Sequence, residues 1–284
     1  MREHASLRSA LPMVYTAKGG MAVKEEIQAL LGPTAVLGRN LLYFEEIRST
    51  NTYAKELARE GAPEGTVVVA GCQTAGRGRM ERTFQSPKEK GLYLSALLRP
   101  DLPPERLLPV TALAGVALCE AVEKTCGVRP GLKWPNDPVM GGRKLSGILT
   151  EMTGGALVLG IGVNVSQSLE DFSPDVASMA TSLVIEVGHP VSRAALAASL
   201  LEALDRMYQA LLAGDLAAYL ASYRRDCVNL GRRVQLLSPD GGRETVTAVG
   251  IDEAFGLVVR TDSGQERTVC SGEVSVRGLY GYVE

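Results

Sequence analysis

The pattern of the sequence changes near Leu230, and this change restricts the folds that the chain can adopt. Upstream, helical periodicity alternates with runs typical of buried strands. Downstream, short strand-like runs are separated by turns such as PDGG and DSG; the runs are RRVQLLS, ETVTAVGID, GLVVRTD and ERTVCSGEVSVRG. Closely spaced short strands of this kind predict a small antiparallel β-barrel. We therefore expect an α+β fold, in which a mixed sheet with helices precedes a small C-terminal barrel.

The upstream part contains both helical and strand patterns. Apolar residues recur at helical spacing after Ser192, which predicts a long amphipathic helix that ends at Gly214. The STN unit (49–51) predicts the start of another helix, capped by Thr50 or Asn51. Further helices are predicted over 23–32, 107–126 and 216–225, and strands over 41–47, 66–74, 93–100, 132–140, 144–152 and 156–165.

We divide the chain into three parts on this basis. Residues 1–38 form an N-terminal extension, which we expect to be partly disordered because residues 1–20 show no periodicity; Met21 is an alternative start. Residues 39–228 form the main α+β domain, and residues 229–284 form the small β-domain.

Composition and charge narrow the function. The 284 residues are 45% hydrophobic and 22% charged, as in ordinary globular proteins, and the net charge of −2 argues against a broadly basic surface for nucleic acids. No apolar stretch is long enough for a bilayer, and the N-terminus lacks the apolar core of an export signal. Five cysteines without C-x-x-C spacing and two histidines predict free thiols and no metal held by His or Cys. We expect a cytoplasmic protein.

The segment GRGRMERTF (76–84) contains the strongest candidate for a binding loop. Arg77, Arg79 and Arg82 supply fixed positive charge, and Gly76 and Gly78 supply backbone freedom and accessible N–H groups. Such a combination suits an anionic ligand, although a solvated basic turn is the alternative. KWPND (133–137) has a similar alternative as a simple turn, and no P-loop motif occurs in the chain.

The order of the motifs is more specific than any single one. Six motifs follow one another along the chain: STN (49–51), QTAGRGR (73–79), SPKEKGLYLS (86–95), KWPND (133–137), RKLSGIL (143–149) and GIGVN (160–164). This series resembles the catalytic domain of the biotin protein ligases, also called biotin–[acetyl-CoA-carboxylase] ligases. The sequence GEVSVRG near the C-terminus resembles the small barrel of that family. The resemblance covers about residues 39–284.

The resemblance implies an activity and its substrates. Such enzymes join the biotin carboxylate to Mg-ATP, giving biotinyl-5′-AMP and pyrophosphate, and then transfer biotin to a lysine of a biotin carboxyl carrier domain. Because two anions meet in the first step, cations and backbone donors fixed in place should stabilise its transition state. Acyl-adenylates are destroyed by water, so a mobile loop that closes over them would protect the intermediate.

The resemblance also implies roles for individual residues. Lys144, Arg77 and Asp137 are the expected catalytic residues, with Lys144 beside the reacting carboxylate and the α-phosphate. Contacts to biotin are implied for Ser49, Thr50, Asn51, Gln73, Gly76, Arg77, Gly78, Arg79, Lys144 and Gly147. Contacts to the nucleotide are implied for Arg79, Phe84, Lys133, Trp134, Asn136, Lys144, Asn164 and Arg277, and Lys133 and Asp137 are expected to organise its magnesium. For Trp134, a place in the hydrophobic core is the alternative.

Some features depart from the family pattern, and other functions stay open. Too few residues precede the STN unit for the winged helix-turn-helix of the repressor members, so we expect no DNA binding. Phe84 stands where an indole often occurs in the family, and Glu81 places an acid among the arginines. The alternatives are a lipoate or octanoate ligase or transferase of the same fold and a non-catalytic biotin sensor. A homodimer is compatible with the strand-rich surfaces.

Overall fold

The computed structural model describes residues 20–79, 82–238, 241–270, 275–278 and 282. In chain order, the strands are Asn40–Phe44 (β1), Thr66–Ala70 (β2), Gly91–Leu98 (β3), Gly131–Lys133 (β4), Asp137–Met140 (β5), Arg143–Lys144 (β6), Ser146–Thr153 (β7), Ala156–Asn164 (β8), Arg233–Leu237 (β9), Arg243–Ile251 (β10), Leu257–Arg260 (β11), Glu266–Val269 (β12) and Ser275–Gly278 (β13). The helices are Gly20–Leu30 (α1), Thr50–Arg59 (α2), Pro104–Leu107 (α3), Val110–Cys126 (α4), Pro174–Ala177 (α5), Leu183–Val187 (α6), Arg193–Ala213 (α7) and Ala217–Asp226 (α8).

A five-stranded mixed sheet forms the centre of the larger part, in the order β1-β2-β3-β8-β7. Strands β1 and β2 are parallel, and the remaining pairs are antiparallel. Successive residues of a strand point to opposite faces. Accordingly, Val67 and Val69 belong to the main core with α4 and α7, whereas Val68 packs with Ala54 and Ala58 of α2 on the other face. The sheet is therefore covered on both faces, and among the described helices α2 is the one that packs on the second face.

The segment before β1 is attached to the core. Asp205 of α7 accepts hydrogen bonds from three consecutive backbone N–H groups, those of Ala35, Val36 and Leu37, each at 2.8 Å. Leu37 is fully buried. One carboxylate thus satisfies three donors that would otherwise be lost from water. Residues 1–19, which carry most of the predicted disorder, lie outside the described residues.

The C-terminal part is an antiparallel sheet, in the order β12-β11-β10-β9-β13. The predicted all-β character is confirmed. Among the strands that the structure describes, β12 and β13 do not pair with each other, so the sheet is not closed into the predicted barrel. A small third sheet of β4, β5 and β6 lies between the two larger ones in sequence.

Several predicted boundaries differ from the observed ones. Ser49, not Thr50 or Asn51, caps α2, and its side chain accepts a hydrogen bond from the Thr52 N–H. The helix predicted to begin at Leu107 is interrupted at Pro109, so that α3 precedes α4. The run predicted as a strand over 132–140 is β4 and β5 with a turn between them, and the Trp134–Pro135 peptide bond in that turn is cis.

The junction between the two parts is well bonded. The Trp134 backbone N–H donates to Asn229 Oδ1 at 2.8 Å, and the Trp134 indole N–H donates to the Phe255 carbonyl at 3.0 Å. The rings of Tyr223 and Phe255 meet edge to face, with centroids 5.6 Å apart. The division between residues 228 and 229 stays a prediction. Among the described helices, none combines the length and apolarity needed to cross a membrane.

Candidate active site

A cavity of about 250 Å³ opens beside the ends of β7 and β8. The N-terminus of α2, the loop before β3 and the small β4–β6 sheet form its other walls. Of the predicted site residues, the cavity is lined by Ser49, Thr50, Asn51, Gln73, Arg77, Gly78, Arg79, Phe84, Lys133, Trp134, Asn136, Asp137, Lys144, Gly147 and Asn164. One cavity therefore brings together nearly all of the motif residues, which span more than a hundred positions of sequence.

A polar cluster at the start of α2 forms one end of this cavity. Gln73 Oε1 accepts hydrogen bonds from the Thr50 N–H and hydroxyl, at 2.9 and 3.1 Å. Ser95 Oγ lies 2.8 Å from Thr50 Oγ1 and donates to Asn51 Oδ1 at 2.5 Å. Thr50, Asn51 and Ser95 are buried. Such fixed amide and hydroxyl groups can satisfy a small polar ring that enters from the cavity.

The GRGR loop folds back on itself. The Gly78 N–H donates to the Arg82 carbonyl at 2.7 Å, and the Phe84 N–H donates to the Gly76 carbonyl at 3.0 Å. A Cβ atom at Gly76 would stand 2.3 Å from the Phe84 carbonyl oxygen, so close approach of the two backbone segments requires glycine here. Gly76 thus shapes the base of the loop without lining the cavity.

The two loop arginines make different contacts. Arg77 Nη1 lies 3.1 Å from Glu151 Oε1, and its side chain remains 42% exposed. Arg79 Nη1 donates to Asn136 Oδ1 at 2.9 Å and is the more buried of the two. Burial lowers the pKa of Arg79, and nearby Asp137 opposes this shift. Both side chains therefore bridge the loop to the sheet that carries the rest of the site.

Phe84 covers the floor of the cavity, which is formed by glycines. A Cβ at Gly162 would stand 2.5 Å from the Phe84 ring, and one at Gly147 would stand 3.4 Å from it. Any larger side chain at Gly162 would displace the ring.

A charged cluster lies at the other end of the cavity. Lys144 Nζ donates to Asp137 Oδ1 at 2.6 Å, and the Tyr282 hydroxyl donates to Asp137 Oδ2. Lys133 Nζ lies 4.0 Å from the centroid of the Tyr282 ring. Main-chain bonds from Lys144 N–H to the Met179 carbonyl and from Thr181 N–H to the Lys144 carbonyl fix the backbone of Lys144.

Electrostatics keep this cluster ionised. Burial alone would raise the pKa of Asp137, but the charges of Lys144 and Lys133 and the hydrogen bonds from Lys144 and Tyr282 lower it below its usual value. Asp137 is therefore a carboxylate at neutral pH. Its hydrogen bond from Lys144 Nζ holds that side chain at the cavity wall, where an anionic ligand would meet it.

Two further predicted residues are held by polar contacts. Asn136 Nδ2 donates to the Ile148 carbonyl at 2.9 Å, and Asn164 Nδ2 donates to the Thr181 carbonyl at 3.0 Å. Trp134 lines the cavity but is 1% exposed and belongs to the main hydrophobic core. Its position is therefore compatible with both predictions for it, a contact to the nucleotide and a place in the core. The backbone of Arg277 lies on β13 opposite Gln235, and its side chain lies outside the described part of the chain.

The sequence interpretation missed two important groups. Glu151 of β7 accepts hydrogen bonds from Lys55, Asn51 and Arg77. Burial acts to raise its pKa, but these donors lower it. An acidic residue inside a predicted strand is the only sequence signal that marked it. Tyr282 lies beyond every motif quoted above, and only the tertiary fold places it at Asp137.

The described residues contain no group of three or more His, Cys, Asp or Glu side chains arranged to hold a metal ion. Asp137 is the carboxylate that lines the cavity, and both of its oxygens accept hydrogen bonds from protein groups. A carboxylate whose two oxygens already accept hydrogen bonds fits a metal-binding role poorly. All five cysteines are free, as predicted.

Comparison with known proteins gives consistent matches over most of the chain. Residues 43–168 match the biotin/lipoate A/B protein ligase family, and residues 230–277 match the biotin protein ligase C-terminal domain. The chain is 34% identical over 255 residues to the bifunctional ligase/repressor BirA of Bacillus subtilis. The aligned region covers 87% of this chain and 77% of that protein. It is 34% identical over 242 residues to the biotin–[acetyl-CoA-carboxylase] ligase of Mycobacterium tuberculosis, covering 83% and 88% respectively.

A solved structure is similar in fold as well as in sequence. The biotin protein ligase from Aquifex aeolicus in complex with biotin and ATP superposes with a TM-score of 0.76 at 30% identity. The match covers 84% of this chain and 99% of that one. The regions matched by these proteins therefore include both the mixed sheet and the C-terminal sheet.

Proposed function

The chain belongs to the biotin/lipoate A/B protein ligase family, and we infer from this that it is an ATP-dependent biotin protein ligase. It activates biotin to biotinyl-5′-AMP with release of pyrophosphate, and it then forms a carbon–nitrogen bond between biotin and a lysine of a carboxylase's carrier domain. The match to the biotin protein ligase C-terminal domain favours biotin over lipoate. The observation that carries the proposal is the single cavity that joins the polar end of α2, the GRGR loop and Lys144.

The first step is a displacement at phosphorus. A carboxylate oxygen of biotin attacks the α-phosphorus of ATP, the bond from that phosphorus to the bridging oxygen breaks, and pyrophosphate leaves with both electrons. Negative charge builds on the phosphoryl oxygens. We assign its stabilisation to Lys144, because Asp137 holds its ammonium group at the cavity wall before the substrates arrive.

The polar cluster of α2 is assigned to biotin recognition. Thr50, Asn51 and Gln73 are fixed by one another and by Ser95, so their hydrogen-bonding groups are already arranged before binding. A ureido ring offers both donors and acceptors, and buried groups of this kind reject a ligand that cannot pair with them. Lipoate has no ureido ring, so this cluster supports biotin as the acid.

The GRGR loop is assigned to retention of the adenylate. In the second step the carrier lysine, as a free amine, attacks the acyl carbon; the bond to the AMP oxygen breaks, AMP leaves, and the nitrogen loses a proton to solvent. Water attacks the same carbon if it enters. Arg77 and Arg79 tie the loop to Glu151 and Asn136, and these contacts support its assignment as a cover.

Magnesium is treated as part of the Mg-ATP substrate. Because Asp137 already accepts bonds from Lys144 and Tyr282, the triphosphate oxygens are the better ligands for the ion. Lys133, Asn136 and Asn164 line the same cavity, and we assign them to the nucleotide. Arg277 stays a prediction as a phosphate contact.

The finer points of partnership and location are proposals too. The acceptor is a biotin carboxyl carrier domain, as the name of the Mycobacterium tuberculosis relative suggests. Five free thiols support a reducing cytoplasm as the place of action. The absence of DNA binding and a homodimeric state stay predictions, to be tested by gel-shift with promoter DNA and by light scattering.

Pyrophosphate release from Mg-ATP tests the function directly. The protein is incubated with biotin, lipoate or no acid, and a carrier domain is then added and its intact mass measured. We expect release with biotin alone and a carrier heavier by one biotinyl group. Release with lipoate would identify a lipoate ligase, and tight biotin binding without release would identify a sensor.

A further inference from the structure

Tyr282, near the C-terminus, reaches the charged end of the cavity. It follows β13, the edge strand that pairs with β9 in the C-terminal sheet. Its hydroxyl donates to Asp137 Oδ2, and its ring lies under Lys133 Nζ at 4.0 Å. It also lines the cavity. A residue of the small β-domain therefore contacts two charged groups of the main domain at once.

The hydroxyl and the ring act on different partners. Lys144 Nζ holds Asp137 Oδ1, and the Tyr282 hydroxyl holds Oδ2, so both oxygens of one carboxylate are anchored. A carboxylate anchored at both oxygens cannot rotate, and Lys144 is consequently held in one place. The ring, in contrast, acts on Lys133 through a cation–π contact, which orients that ammonium group along the cavity wall.

We propose that Tyr282 is a positioning residue for adenylate formation, through which the C-terminal segment completes the phosphate side of the site. The hydroxyl fixes the Asp137–Lys144 pair for the chemical step, and the ring orients Lys133 for nucleotide binding. This inference rests on the proposed function, because it assigns Lys144 and Lys133 to the substrates of that reaction.

Two substitutions separate the hydroxyl from the ring. Biotin-dependent exchange between ATP and labelled pyrophosphate is measured at saturating biotin with the full-length protein. Tyr282→Phe keeps the ring, so we expect kcat to fall about 10-fold with the KM for ATP unchanged. Tyr282→Leu removes both groups, so we expect the same fall in kcat and a KM for ATP about 10-fold higher. When biotin is varied at saturating ATP instead, its KM should stay constant in both variants.

Tyr208→Phe is the matched control. The Tyr208 hydroxyl also donates to a carboxylate, that of Glu64, but on α7 and away from the residues that line the cavity. We expect a lower Tm and unchanged kcat and KM for that variant. If Tyr282→Phe also changes only Tm, Tyr282 is merely structural, and the proposal is wrong. A faster rate in either Tyr282 variant would show that the segment obstructs the site, which also overturns the proposal.

Failure of the proposed function would be visible separately. If the unmodified protein shows no exchange with biotin, it is not the ligase described above. Calorimetric titration with Mg-ATP then tests Tyr282 alone. About 10-fold weaker binding by Tyr282→Leu, with Tyr282→Phe unchanged, supports the assignment of the ring to Lys133; equal affinities for all three proteins overturn it.

Discussion

Lys144 must be charged and fixed in place without being neutralised completely. Its pairing with Asp137 at 2.6 Å is a partly buried ion pair, in which the lysine side chain remains 30% exposed. That exposure faces the cavity, where an incoming phosphate can contact the ammonium group. A lysine on a freely rotating surface chain would have to lose that freedom during the reaction, whereas here the loss occurs on folding.

Lys144→Ala should therefore slow adenylate formation by ~10²-fold or more, the loss expected for one preorganised charge. Biotin-dependent pyrophosphate exchange measures this directly. Lys124→Ala is the control, because Lys124 also pairs with a carboxylate, that of Glu202, but on the exposed surface. Near-normal exchange by Lys144→Ala would remove Lys144 from the catalytic role.

At the residue scale, the sequence predicted the site where local motifs mark it. The residues of four motifs lie around one cavity: STN, GRGR, KWPND and RKLSG. Each of these motifs combines glycine or turn residues with polar groups, which is the local signal that marked them. The sequence could not predict Glu151, since its function depends on Lys55 and Arg77, which lie far away in the chain. Such pairings follow from the packing of α2 and the loop against β7.

At the scale of elements, the partly exposed Arg77–Glu151 ion pair is one of the contacts that hold the GRGR loop. Arg77→Ala removes the contact to Glu151. An exposed pair contributes up to about 1 kcal/mol, so we expect the half-life of bound biotinyl-5′-AMP to fall about 2- to 5-fold. The half-life is measured by rapid desalting followed by chromatography of the retained adenylate.

Glu151→Gln should give a similar loss, because it weakens the same contact from the other side. Arg206→Ala is the control. Arg206 on α7 pairs with Glu120 on α4 at 3.4 Å, and neither residue lines the cavity. An unchanged adenylate half-life in Arg77→Ala would mean that this pair does not hold the cover.

Strand β8 leaves room for Asn51 because Gly160 has no side chain. A Cβ at Gly160 would stand 1.9 Å from Asn51 Oδ1, and Asn51 is held by Ser95 and Glu151. Gly160→Ala must therefore displace Asn51, with a cost of about 1–3 kcal/mol. We expect the KM for biotin to rise about 10-fold, measured by pyrophosphate exchange.

Gly250→Ala in β10 is the matched control. The nearest side-chain atom to a Cβ there is Val258 Cβ at 3.7 Å, an ordinary contact distance. This variant should keep the biotin KM of the unmodified protein. If Gly160→Ala keeps it as well, Asn51 does not belong to the biotin pocket.

The helices and strands themselves were largely predictable from the sequence. Amphipathic spacing gave α7 and its end at Gly214, where the left-handed conformation suits glycine. The separation of α3 from α4 was not predicted, and the turn inside KWPND was predicted only as an alternative reading of that motif. Both depend on prolines, at 109 and 135, whose effect on the chain is set by the neighbouring elements as much as by the local sequence.

At the scale of the whole molecule, the two parts share a buried junction at Trp134. Its indole N–H donates to the Phe255 carbonyl of the C-terminal part, and its backbone N–H donates to Asn229. The sequence pattern predicted the fold class of both parts, yet it contained no sign of these contacts between residues that are far apart. Tyr282 also contacts Asp137, so we expect packing of the C-terminal part and assembly of the proposed site to be linked.

Asn229→Ala tests whether this junction couples the two parts. Asn229 is fully buried, and its loss leaves the Trp134 N–H without its acceptor, which should cost about 1–3 kcal/mol of unfolding free energy. Trp134 is the single tryptophan, so its fluorescence reports the junction while circular dichroism reports the whole fold. In urea, we expect both signals of the unmodified protein to change together, and the variant to shift both to lower urea.

The control is Asn40→Ala, which removes the hydrogen bond that Asn40 Nδ2 donates to Thr66 Oγ1 in the main sheet. It should lower stability less, because Asn40 is only partly buried, and it should leave the native fluorescence of Trp134 unchanged. A fluorescence transition well before the loss of circular dichroism in the unmodified protein would contradict the coupling. The C-terminal sheet would then detach first, and the contact of Tyr282 with Asp137 would break before the catalytic domain unfolds.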